Sequence, residues 1–160
     1  MRKTVLTSIV LGAALLMSGE AWSQGGPPPF GTPINVSQAK KAAEAAAAEA
    51  AKNNWKLAIA VVEPNGSLVY FMKMDGTQYA SVEIAQDKAR SAGLFRRPSK
   101  DFAERVAKGD MGVLTLRGAS WSPGGVPIVV GGKFIGAIGT SGSAAANDHA
   151  ASQAGADALK

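Results

Sequence analysis

The stretch Pro123-Gly124-Gly125-Val126-Pro127-Ile128-Val129-Val130-Gly131-Gly132-Lys133-Phe134-Ile135-Gly136-Ala137-Ile138-Gly139 constrains the fold more than any other part of the chain. Two adjacent glycines lie between two apolar, β-branched runs. A two-residue hairpin needs positive φ at its turn, which glycine adopts without steric penalty. The pattern therefore predicts a strand over 128–130, a turn at Gly131-Gly132 and a second strand carrying Phe134, Ile135 and Ile138. The same stretch holds no catalytic constellation, so any chemistry must be supplied from elsewhere.

The N-terminus reads as an address rather than as part of the domain. Arg2 and Lys3 precede an apolar run from Val5 to Met17, which is too short to span a bilayer but suits the core of a secretory signal. Ala21 and Ser23 occupy the −3 and −1 positions of a cleavage site, which places cleavage after Ser23 and the signal peptide over 1–23. The expected localisation is periplasmic or secreted. The chain's 17 Lys and Arg against 12 Asp and Glu become 15 against 11, a net +4, once Arg2, Lys3 and Glu20 are removed. That excess is diffuse and lacks an aromatic-basic motif, so no nucleic-acid partner is expected. With no cysteine in the chain, disulfides, thiolate ligands and a lipoprotein anchor are excluded. The remaining 137 residues suit one domain with one core.

Residues 24–34, with Gly-Gly and three consecutive prolines, form a leader that holds no regular element and runs extended on the surface. The single domain covers 35–160. Asn35 caps a first helix reaching Asn54, with Gln38 in the capping-box position and an Ala/Lys/Glu run of very high helix propensity behind it. Strands follow at 57–63 and 68–74 around the turn Pro64-Asn65-Gly66. A helix over 81–94 places Val82, Ala85, Ala89 and Ala92 on one stripe. Ser99 caps a shorter helix over 100–107, which Gly109 ends. Met111 to Leu116 is expected to be a strand, and a last helix starts near Ala145. The sum is an α+β domain: a five-stranded antiparallel sheet flanked by about four helices.

Few groups can carry chemistry. His149 is the one histidine, and Asp148 precedes it at the start of the last helix. The helix dipole there lowers the imidazole pKa and favours the neutral, metal-binding form. Asp75, Lys88 and Arg90 are candidates for a polar pocket near the sheet edge, able to do acid–base work or to hold a carboxylate, although charges on a helix are usually solvated. Trp121, in a Ser/Gly/Pro loop, can wall a ligand pocket. The glycines of 136–142 mimic a dinucleotide fingerprint but end a hairpin rather than join a βαβ unit, and a tight turn explains them better.

Taken together, several segments resemble the GlcG/HbpS family of small haem-binding-type proteins: Ile59-Ala60-Val61-Val62-Glu63-Pro64-Asn65-Gly66, Met74-Asp75-Gly76, Ala85-Gln86-Asp87-Lys88-Ala89, Gly124-Gly125-Val126-Pro127-Ile128, Gly136-Ala137-Ile138-Gly139, Ser141-Gly142, Asp148 and Ala154-Gly155. The resemblance implies a profilin-like architecture, homo-oligomers and, for exported relatives, haem binding linked to redox sensing. It fixes fold better than function. There are departures. The histidines that relatives place around the first helix and first strand have no counterpart, since Lys56 and its neighbours offer no imidazole. The loop from Arg117 to Ser122 differs in length, and His149 stands where relatives often carry an acid.

Three functions follow as expectations. The first is a haem- or tetrapyrrole-binding protein in which His149 is the axial ligand and Asp148, Lys88, Arg90 and Trp121 complete the cofactor site; Met72, Met74, Met111, Tyr70 and Tyr79 are weaker ligands. The second is a cofactor-free lyase or isomerase using Asp75 and His149 on a small, epoxide- or terpenoid-like substrate. The third is a non-catalytic partner of a periplasmic oxidoreductase or sensor.

Overall fold

A computed structural model describes residues 26–160; the signal peptide expected over 1–23 lies outside the described residues. The elements run α1 (Val36–Lys52), β1 (Ala58–Val62), β2 (Leu68–Lys73), α2 (Ser81–Phe95), α3 (Lys100–Ala107), a 3₁₀ helix (Met111–Thr115), β3 (Gly125–Val130), β4 (Lys133–Ser141) and α4 (Ala145–Asp157). The sheet is antiparallel throughout, in the order β2-β1-β4-β3.

β1 shows why the sheet is covered on both faces. All five of its residues are buried. Ile59 and Val61 join the core cluster under α1 and α4, while Ala58, Ala60 and Val62 join a second cluster with Ala85, Ala89 and Ala92 of α2. A strand buried on both sides reads as an unbroken apolar run. The α2 face is built from small residues, so that helix lies close on the strands. Gly139 and Gly125 mark close approaches, since a methyl at Gly139 would overlap the Ala85 carbonyl and the Ala89 amide, and one at Gly125 the Lys88 carbonyl.

The β3–β4 hairpin forms as the glycines dictate, with φ of 54° at Gly131 and 75° at Gly132. β3 begins at Gly125, earlier than expected, and Pro127 is accommodated because β3 is an edge strand. The capping box at Asn35 and Gln38 is present, with bonds of 2.9 and 3.1 Å. Part of the leader docks on the sheet: Gly31 N–H donates to the Phe134 carbonyl and Ile34 N–H to the Ile135 carbonyl, both at 2.8 Å. Arg96 stacks over the Phe30 ring at 4.5 Å and donates to the Pro28 carbonyl at 3.0 Å.

One expected element is corrected. Residues 111–116 form no strand, so the sheet has four strands rather than five. In this run only Val113 is buried, whereas Met111, Leu114 and Leu116 are exposed, so it has no face to offer a sheet. No helix among the described residues is long and apolar enough to cross a membrane.

Candidate functional site

Lys88 and Asp148 meet in the interior. Lys88 Nζ lies 2.7 Å from Asp148 Oδ2, with the two side chains 2% and 3% exposed. Lys88 comes from α2 on one face of the sheet and Asp148 from α4 on the other. Lysine reaches across because Gly124 leaves room: a Cβ there would sit 2.8 Å from Lys88 Cδ and 2.9 Å from Nζ. Lys88 also donates to the Thr140 carbonyl at 3.2 Å, and the Ser143 N–H donates to Asp148 Oδ1 at 3.0 Å. Around the pair, Thr140 Oγ1 donates to the Asp148 carbonyl and Ser152 Oγ to the Gly124 carbonyl, each at 2.6 Å. Burial pushes the Asp148 carboxyl above its ordinary value, opposed by Lys88 and by the Ser143 and Gly142 N–H groups. A satisfied, closed network of this kind fixes geometry. The expected tight turn is confined to the residues after Ser141, where Asp148 answers the Ser143 N–H; Gly136 and Gly139 lie within β4, and Gly139 is small because α2 packs against it.

His149, the next residue, points away from this network into a groove of about 440 Å³. One wall is the stripe Lys100, Ala103, Glu104 and Ala107 of α3, at helical spacings of three and four. Pro123, Ala146 and His149 complete the lining. The opposite side of α3 is anchored by Phe102, 1% exposed, whose ring packs edge-on against Phe95 at 5.0 Å. Ser99 does not cap α3 through its side chain; its Oγ donates instead to the Ser122 carbonyl at 2.7 Å and accepts from Gly125 N–H at 2.9 Å. Burial first, and the positive charge of Lys100 second, hold the His149 pKa below 6.5. Its Nδ1 is buried without a hydrogen-bond partner, whereas Nε2 is neither buried nor hydrogen-bonded among the described residues.

A larger groove, about 630 Å³, holds Arg90 and Trp121 together with Ile84, Asp87, Leu94 and the 118–122 loop. The proposed cofactor residues are therefore divided: His149 lines one groove, Arg90 and Trp121 another, and Lys88 and Asp148 are enclosed in the core. Asp75 is exposed in the turn after β2 and lines neither groove. Tyr70, Met72 and Met74 pack against the core under α1, while Tyr79 and Met111 are exposed. No group of three or more potential metal-binding His, Asp or Glu residues occurs among the described residues. Sequence reading missed the Lys88–Asp148 pair, although Lys88 falls three residues after Ala85 on the buried stripe of α2, an unusual place for an unpartnered lysine.

Comparison with known proteins agrees with this architecture. A family model described as "Haem degrading protein HbpS-like" matches residues 34–157. Protein GlcG of Escherichia coli K12 is 42% identical over 93 residues, which cover 58% of this chain and 69% of GlcG. Among solved structures, a double mutant of Streptomyces reticuli HbpS superimposes with a TM-score of 0.74 at 25% identity, covering 99% of each chain. The Klebsiella pneumoniae protein ORFY also gives a TM-score of 0.74 at 25% identity, over 81% of this chain and 92% of that one. The four-stranded antiparallel sheet, the motifs it carries and the match across 34–157 place the chain in the HbpS-like family.

Proposed function

We propose that this protein is an exported haem- or tetrapyrrole-binding protein in which His149 is the axial ligand. The observation that carries the reading is a partly buried imidazole, its pKa lowered by that burial, with an unburied Nε2 beside a groove walled largely by Ala103, Ala107, Ala146 and Pro123. The donor set suits a tetrapyrrole. Small apolar side chains leave space for a flat macrocycle, Lys100 supplies a cation at the rim for a propionate, and imidazole nitrogen is a strong iron ligand. With Nε2 engaged, the proton resides on Nδ1, which has no acceptor to orient it. Bound haem would supply redox-active iron; the chain's own contribution is to hold, orient and shield it. The family description, a haem degrading protein, supports the same ligand class.

Cofactor-free acid–base chemistry finds less support, because Asp75 and His149 do not line a common groove. Homo-oligomerisation is part of the proposal: Val36, Tyr79 and Met111, between 59% and 89% exposed, are large apolar groups that a second copy can cover.

The test is a haemin titration of the mature chain beginning at Gln24, followed by absorbance. The expected result is a saturable Soret shift at one haem per chain or per pair of chains; no shift contradicts the reading. Because the His149 pKa lies below 6.5, the ligand lone pair is free at pH 7.5 and is lost as pH falls through the lowered value. Affinity should therefore hold from pH 7.5 to 6.5 and drop at lower pH. A profile flat through acid pH would remove His149 from the iron.

A further inference from the structure

The 630 Å³ groove at Arg90 and Trp121 shares no lining residue with the His149 groove and takes no part in the haem reading. Its volume falls within the range of small-molecule pockets, which is about 300–1,000 Å³. Its walls are apolar side chains left uncovered in the single chain: Leu94 is 51% exposed, Trp121 44% and Ile84 39%. Arg90 is the one cation among the lining residues.

The guanidinium is weakly committed. Nη1 is 3.4 Å from Asp87 Oδ1 and Nη2 is 3.3 Å from Gln86 Oε1, both at the long edge of hydrogen bonding. Both acceptors belong to α2 itself, and Asp87 is 67% exposed, so this pair is worth little. The fork of N–H groups has no bidentate partner among the described residues, and a carboxylate is the group that fits it. The wall facing it is held in place. Trp121 Nε1 donates to the Val113 carbonyl at 3.4 Å, Ser120 N–H to Ser91 Oγ at 2.9 Å, and Ser99 Oγ to the Ser122 carbonyl at 2.7 Å. The Trp121 contact is as long as those of Arg90, but the two short bonds at Ser120 and Ser122 on either side of it tie the loop, which loses little freedom when a ligand arrives.

We propose that this groove is a second ligand site that binds a small monocarboxylate with a planar or alicyclic body. Arg90 takes the carboxylate, and Trp121, Leu94 and Ile84 enclose the apolar body.

The mature chain keeps two tryptophans, Trp55 and Trp121, so Trp55→Phe leaves Trp121 as the fluorescent reporter. Benzoate and cyclohexanecarboxylate are titrated against it, with benzamide as the uncharged comparison. The expected result is saturable binding of both acids, at least roughly tenfold weaker for benzamide and for the acids in Arg90→Gln, with Arg90→Lys also weakened because it loses the planar fork. Saturation-transfer NMR of benzoate on the unsubstituted mature chain gives the same answer if Trp55→Phe fails to fold. No saturable binding of either acid, or equal binding in Arg90→Gln, overturns the proposal. So does a fall in oligomer mass in Trp121→Ala with no acid bound by the parent chain, which would make the groove a contact between copies.

Discussion

Replacing Lys88 by Met should lower stability by about 3–5 kcal/mol, because it strands Asp148 in the interior without its cation. For a domain of this size the loss corresponds to a fall in Tm of roughly 10 °C or more. The substitution keeps most of the side chain's volume, so the loss reports charge rather than a cavity. The double variant Lys88→Met/Asp148→Leu should recover much of it, since removing both members of a buried pair costs far less than removing one. Recovery will be incomplete, as the Ser143 N–H and the Thr140 carbonyl each lose a partner. The pH dependence has a definite sign. Burial already raises the Asp148 pKa, and losing Lys88 raises it further. A carboxyl whose folded pKa exceeds its unfolded value stabilises the fold below about 3.8 and loses that contribution as pH rises through the folded value. The deficit of Lys88→Met should therefore be smaller near pH 4 than at pH 7. Thermal unfolding of the single and double variants at both pH values checks this; a Tm within about 1 °C of wild type at pH 7 would show that the pair does not hold α2 and α4 together.

The second large effect is expected at Gly139. Alanine there places a methyl against the Ala85 carbonyl and the Ala89 amide, which are helix backbone and cannot rotate away. Either α2 lifts from the sheet or the strand bends. Overpacking against a rigid surface costs about 3 kcal/mol, at the upper end of its ordinary range. Lys88 and Arg90 ride on α2, so the damage should spread to both the buried pair and the Arg90 groove. Denaturant unfolding measures the loss. An unchanged midpoint would mean that α2 packs less closely than its contacts with Ala58, Ala60 and Ala137 imply.

Both effects arise at residues whose importance is unevenly legible in the sequence. The β3–β4 hairpin could be read directly, because Gly131-Gly132 between β-branched runs permits few other structures. The start of α1 was equally legible, since Asn35 and Gln38 satisfy each other's backbone within four residues. The run Met111–Leu116 was misread because a short apolar stretch has no periodicity to separate a strand from a 3₁₀ turn, and only tertiary burial decides. The Lys88–Asp148 pair joins positions 60 residues apart, so no local pattern could join them. What local sequence does carry is a lysine on the alanine stripe of α2 and a pair of glycines at 124–125 that leave it space. Likewise, His149 could be named as a candidate from its rarity, but its groove depends on the stripe of α3 facing α4, which is a tertiary arrangement.

The matching family is described as haem degrading, and the proposal made above assigns the haem iron to His149. The most direct measurement is a pair of haemin titrations, the chain beginning at Gln24 against its His149→Ala variant, read at the Soret band, with thermal unfolding confirming that the variant is folded. The predicted result is a displaced Soret maximum and affinity at least roughly tenfold weaker in the variant, a loss of about 1.4 kcal/mol or more. Superimposable titrations from two equally folded proteins would contradict the assignment of His149 as the iron ligand.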